Sequence, residues 1–313
     1  MENTEFTQIQ LEAQRLGITY IDPRLDFAFK SVFGTKGNED LLLKLVNAIL
    51  PDRNITSVEL SNQEQKGLRS TSRSAVFDIF CNTSDGSELI IEMQYRDQKD
   101  FNQRMVFYSS FPIQNKIFRG KKPGELRLNY SFSQLIVVGI SDFILDDVPA
   151  NDSMINSYSI RNDRYREIVF TDKVQYVTVE LPKLTKSLKD LTTPADYLFY
   201  AIRNIGKMHR MPAEYEGSGL DKFFEMCKFA AMTEAEQRQY LAELMEELDQ
   251  GSREKTAWDR GWEQGKAEGW TEGKAKGKAE DKIETARELK RLGVSADIIC
   301  QATKLPPEEV EKL

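Results

Sequence analysis

The stretch AVFDIFCNTSDGSELIIEMQYR, residues 75–96, reads as a β-hairpin. Two runs rich in branched and aromatic residues, AVFDIFCN and ELIIEMQYR, flank the turn signal SDG. Strand side chains alternate between faces, so loop length decides whether Asp78 and Glu92 meet. A three-residue loop of Ser84, Asp85 and Gly86, with Gly86 at positive φ, pairs residues whose numbers sum to 170 and sets Asp78 opposite Glu92. Their Cβ atoms then lie about 4.5–5.5 Å apart. A two-residue Asp85-Gly86 turn would instead set Asp78 against Met93 and separate the carboxylates. The three-residue form is the expectation.

Two carboxylates that close repel unless a cation lies between them, and Mg²⁺ takes hard oxygen ligands while keeping water. Gln94 falls on the same face as Glu92, where its amide can orient a metal-bound water but cannot act as an ammonium would. The plain alternative is the solvent side of an ordinary hairpin. Against that, Asp78 sits inside FDIF and Glu92 inside IIEMQ, strands with little other polar character, where an unpaired buried charge is costly.

Outward from the hairpin, residues 1 to about 50 read as helices: a periodic stretch near Phe6 to Leu16, then DFAFKSVFG, then NEDLLLKLVNAIL ending before Pro51. VEL at 58–60 is a further strand. Helix is expected from about Asp100 to Phe118, followed by the strand-like runs QLIVVGISDFIL and KVQYVTVELPKL. This order predicts an α/β core, a mixed sheet flanked by helices. After Pro194 the pattern is helical to the end, with a capping-box signature at Thr233 and Glu236.

Composition narrows the chemistry. The 313 residues are 40% hydrophobic, enough for a substantial core. The three cysteines are scattered and odd in number, so neither a disulfide framework nor a zinc knuckle is indicated. A single histidine, His209, removes His-based dyads, triads and multi-His metal sites. The net charge of −7 requires any nucleic-acid contact to be local rather than a general coating. The polar start and the lack of a long apolar run point to a cytoplasmic protein with no membrane segment.

Taken with IDPRLDFAFKSVFG near the N-terminus, FNQRMVFYSS after the hairpin and the closing LKRLGVSADIICQATKLPPEEVEKL, the chain resembles the PD-(D/E)XK nuclease family transposases, also called Rpn recombination-promoting nucleases. The resemblance runs nearly end to end. It implies a restriction-endonuclease-like core, which the pattern of strands and helices bounds at residues 1–185, followed by a helical extension over 186–250 and a separate Gly-periodic helical arm with a small helix-turn-helix-like cap over 251–313. It matches Asp78 and Glu92 to the motif's metal-binding acids and Gln94 to its usual lysine position, with the backbone carbonyl of Met93 as a further ligand. Asp26 matches an acidic residue on the first helix that holds a second metal or a water, its alternative being a charge favoured by the helix dipole. Lys30, one turn later, contacts phosphate or pairs with Asp26. Gln103, Arg104 and Tyr108 are candidates to address the scissile phosphate, with packing the commoner use of such a tyrosine and a surface ion pair that of such an arginine. Lys66, Arg69 and Arg73 precede the hairpin as candidate DNA contacts or as a solvated loop.

The activity so implied is a Mg²⁺-dependent endonuclease, with Mn²⁺ or Ca²⁺ as substitute ions, cutting double-stranded DNA in recombination, mobile elements or phage defence. The rival is a nuclease-fold scaffold without catalysis. Residues 251–313 carry glycine at every fourth position from Gly261 to Gly277 and equal numbers of acidic and basic residues. Five glycines cost a helix about 5 kcal/mol relative to alanine. The expectation is therefore a self-associating arm forming a homo-oligomer, or else a charge-balanced linker. The end has a helix-turn-helix outline, but Glu308, Glu309 and Glu311 suit docking better than phosphate contact. Some relatives are restrained by a separately made C-terminal fragment, and the resemblance extends that expectation here.

Overall fold

The computed structural model describes residues 8–65, 75–119, 132–145 and 153–313. Its first compact unit, Met1–Leu244, is built on a six-stranded mixed sheet. Three helices, α1 (Gln8–Arg15), α2 (Asp26–Phe33) and α3 (Glu39–Ile49), lead into β1 (Val58–Leu60). A two-stranded ribbon of β2 (Glu64–Gln65) and β3 (Ala75–Val76) follows, and then the hairpin of β4 (Ile79–Thr83) and β5 (Glu88–Gln94). After α4 (Phe101–Arg119) come β6 (Leu135–Ser141), β7 (Ile155–Arg161) and β8 (Val169–Glu180). The sheet order is β1-β4-β5-β6-β8-β7, antiparallel at both ends and parallel at β5–β6 and β6–β8. The parallel β5–β6 step needs a crossover, which α4 provides.

The hairpin has the expected register. Ile79 pairs with Ile91 and Phe80 with Ile90. Thr83 donates to the Ser87 carbonyl, closing the loop of Ser84, Asp85 and Gly86, and Gly86 takes φ +84°. A side chain at that φ would be strained, which is why the turn uses glycine. β5 is buried on both faces, as a strand between layers must be. Leu89, Ile91 and Met93 join the core with residues of α2 and α3, whereas Ile90 joins Phe101, Met105 and Phe111 of α4. Gly139 on β6 lets α4 sit this close: a Cβ there would lie 2.7 Å from Met105 Sδ and from Phe101 Cζ.

β7 was not expected from sequence. INSYSIR is polar and largely exposed, and it gains its conformation from pairing with β8 at the sheet edge rather than from burial. Beyond β8 the chain forms α5 (Pro194–Asn204), capped reciprocally by Thr193 and Asp196, then α6 (Asp221–Met226). Next is α7 (Glu234–Arg291), whose start carries the expected Thr233–Glu236 capping box.

The second compact unit is Met245–Leu313. It comprises the remainder of α7, then α8 (Ala296–Thr303) and α9 (Pro307–Lys312), which bury Ala286, Ile299 and Val310 together. Gly293 ends α7 at φ +81°, and Ser295 and Pro306 begin the two short helices, as the sequence reads. Gly261, Gly265, Gly269, Gly273 and Gly277 lie within the unbroken helix with open space where each Cβ would be. Trp258, Trp262 and Trp270 are exposed beside them, and Trp258 stacks on Trp262 at 5.7 Å. No helix of the described residues is long and apolar enough to cross a membrane.

Candidate active site

Asp78 and Glu92 face one another at the end of the hairpin, 5% and 1% exposed. Each carboxylate binds the other strand's backbone: Asp78 N–H donates to Glu92 Oε1 at 3.1 Å, and Met93 N–H donates to Asp78 Oδ2 at 2.8 Å. The remaining oxygens meet cations from two helices. Lys30 Nζ of α2 lies 3.2 Å from Asp78 Oδ1, and Arg104 Nη2 of α4 lies 3.0 Å from Glu92 Oε2. Gln63 Nε2 holds the Asp78 carbonyl at 2.8 Å. Burial is thus offset by two ion pairs and a set of backbone donors, as buried charge requires.

The electrostatics follow from this crowding. Burial raises the Asp78 carboxyl well above its usual range; Glu92 and Asp26 add to the rise and Lys30 opposes it. Burial also raises Glu92, against the lowering effects of the Asp78 backbone N–H and of Arg104. Desolvation works to lower Lys30, but Asp78 and Asp26 outweigh it and leave its pKa raised. Because Asp78 binds its proton more tightly folded than unfolded, its contribution to stability is full below the ordinary carboxylate pKa and is lost as pH rises through the raised value. In chelator, the melting temperature of the wild type is therefore expected to fall relative to that of Asp78→Asn as pH rises out of the ordinary carboxylate range. Parallel curves from thermal melts across that range would overturn the assignment.

The other sequence candidates distribute as follows. Asp26 is exposed at the start of α2; its carboxylate meets Lys30 Nζ at 2.6 Å and also lies directly against the Asp78 carboxyl, whose rise it adds to. Gln94 is committed at both ends, accepting from Arg104 Nη1 at 3.0 Å and donating to the Arg96 carbonyl at 3.1 Å. Its amide thus holds Arg104 in place. Tyr108 packs edge-on against Phe77 and lies under Arg104, whose Cζ is 5.2 Å from the ring centre. Gln103 is exposed on α4 and is not joined to the carboxylates. Lys66, Arg69 and Arg73 lie outside the described residues.

Three contributors were not visible in the sequence. Gln63 and Gly139 are two. The third is Glu243 of α7, whose carboxylate accepts from Asp26 N–H at 2.7 Å and Phe27 N–H at 3.0 Å. Leu25, at the N-cap of α2, has no side-chain acceptor, so a residue 217 positions away caps the helix that carries Lys30. No local capping pattern could have signalled it.

Among the described residues no three His, Cys, Asp or Glu side chains gather as a metal cluster. The donors available here are two carboxylates, a small hard-oxygen set of the kind Mg²⁺ uses when it keeps several waters. That the two acids already draw a positive charge apiece, at 3.2 and 3.0 Å, shows that the pair accommodates cations. The residues fit a divalent ion.

A mixed sheet whose central hairpin presents a paired Asp and Glu, with helices delivering basic residues to both, defines a nuclease-like fold of the PD-(D/E)XK class. The match to known families agrees: the model described as PD-(D/E)XK nuclease family transposase covers residues 23–257, and the chain belongs to that family. Neither the curated proteins nor the solved structures searched gave a match.

Proposed function

We propose that the protein is a divalent-cation-dependent endonuclease that hydrolyses phosphodiester bonds in double-stranded DNA, with Mg²⁺ as the working ion. The observation that carries this reading is the buried Asp78–Glu92 pair, each carboxylate bound to a backbone N–H of the opposite strand, with Lys30 and Arg104 on its open side. Asp78, Glu92 and the Met93 carbonyl would hold the ion. When bound, it would supply a water of lowered pKa and stabilise charge developing on the phosphate.

The chain's own groups account for the rest. Arg104 presents a planar donor fork suited to phosphate oxygens, and Gln94, Gln98 and Tyr108 set its plane. The family's usual lysine position holds Gln94, yet a positive charge still reaches that place, supplied by α4 instead of β5. Arginine keeps its proton at any working pH, so Arg104 serves to bind and stabilise rather than to act as a base. A recombination, mobile-element or defence setting is supported by the family alone.

The test is nicking of supercoiled plasmid by purified protein in Mg²⁺ or in EDTA, with Glu92→Ala alongside. Mg²⁺-dependent nicking lost in EDTA and in Glu92→Ala is expected. Nicking that survives the substitution would remove the site assignment, and a folded wild type that cuts nothing in Mg²⁺ or Mn²⁺ would favour the scaffold reading.

A further inference from the structure

The two cations at the site are placed as counter-ions that can leave. They lie between the carboxylates and solvent: the Lys30 and Arg104 side chains are 29% and 33% exposed, against 7% for Asp78 and 2% for Glu92. Each also has somewhere to go. Lys30 Nζ is closer to Asp26 Oδ1, at 2.6 Å, than to Asp78 Oδ1, at 3.2 Å, so it can surrender Asp78 without losing an ion pair. Arg104 is held in addition by two neutral amide oxygens, Gln94 Oε1 at 3.0 Å and Gln98 Oε1 at 3.2 Å, and by the face of Tyr108. Its Nε–H is buried and has no acceptor among the described residues. A buried donor left unmade is costly, and an arginine fixed permanently in an ion pair would be expected to use it.

We propose that Lys30 and Arg104 are exchangeable counter-ions: they neutralise Asp78 and Glu92, yield Asp78 Oδ1 and Glu92 Oε2 when a divalent cation binds, and then turn to the phosphate of the DNA. This rests on the nuclease reading given above. It explains how two buried acids are tolerated when folding precedes ion binding, and it makes the arrival of positive charge at the acids the event that frees two phosphate ligands. The same residues thus oppose ion binding and promote cleavage. A purely structural ion pair, or a residue that only binds phosphate, would not have both effects.

The discriminating experiment is titration calorimetry with Mn²⁺ and Mg²⁺ at pH 8, where protons compete least, on the wild type, Lys30→Met and Arg104→Met, with circular dichroism to verify folding. Removing a competing unit charge that lies 3.2 Å (Lys30) or 3.0 Å (Arg104) from a carboxylate oxygen is expected to tighten ion binding by about tenfold or more in each variant. Plasmid nicking by the same variants should fall at least about 100-fold. Unchanged or weaker ion binding in both folded variants would overturn the exchange. If instead binding tightens but the wild type never cuts DNA, the exchange stands and the nuclease reading fails. The Asp26→Asn change supplies a second arm. If Asp26 acts as the retreat for Lys30, this change weakens ion binding in the wild type and has no effect in a Lys30→Met background. An effect that persists there would make Asp26 a direct ligand and remove its part in the exchange.

Discussion

Asp78→Asn is expected to abolish ion-dependent cleavage, by about 10³-fold or more, while making the protein more stable in chelator. The loss follows from replacing an anionic oxygen donor with an amide. The gain follows from the buried pair: Asp78 faces Glu92 across the hairpin, and burial already drives its carboxyl toward the neutral form. Asparagine can keep the contact from Met93 N–H through its oxygen, and Lys30 keeps Asp26. The relief is read as a rise in Tm, about 2–4 °C for each kcal/mol gained in a domain of this size. Scanning calorimetry in EDTA beside a plasmid assay in Mg²⁺ measures both. A variant that loses stability along with activity would show that Asp78 is held mainly as an ion-pair partner for Lys30.

Gly139→Ala is the second large effect, and it acts without touching an ionisable group. Gly139 pairs with Glu92 across the β5–β6 step, and its missing Cβ is the space that Met105 and Phe101 fill. A methyl group 2.7 Å from Met105 Sδ and 2.8 Å from Phe101 Cε1 forces these side chains to shift, and the expected result is that α4 moves away from the sheet. Overpacking of this kind costs about 1–3 kcal/mol. Because α4 carries Arg104, an outward shift of about 1 Å would also separate its guanidinium from Glu92 and cut the rate by about 100-fold. Thermal melts with initial rates of nicking would show both losses. A stable, fully active Gly139→Ala protein would mean that the Met105 and Phe101 side chains absorb the methyl and that the seating of α4 is not critical.

Much of this site was legible from one stretch of chain, for a physical reason. The pairing of Asp78 with Glu92 is a local property of a three-residue loop and the two-residue period of strands, and both are written in residues 75–96. What was not legible depends on contacts between distant segments. Arg104 could be placed on the next helix but not on Glu92 and Gln94, because the approach of α4 depends on Gly139, and the role of that glycine appears only once the strands are ordered. Glu243 reads in sequence as one more acid on an amphipathic helix, yet it caps α2. β7 was missed because an edge strand buries too little to show an apolar pattern. Asp26 was placed correctly at a helix start, but its contacts with Lys30 and Asp78 are a matter of side-chain reach.

The chain has three tryptophans, and all of them, Trp258, Trp262 and Trp270, lie on α7 in the second unit, exposed to solvent. The sheet and its carboxylates are surrounded by phenylalanine and tyrosine instead. Indole emission is therefore a private signal of the arm. Unfolding of the first unit will pass almost unseen at wavelengths that excite tryptophan alone, and must be followed by tyrosine absorbance or circular dichroism. Conversely, a blue shift on raising protein concentration, or on adding a ligand, reports that something has covered α7, with no labelling and no contribution from the site where DNA would be cut.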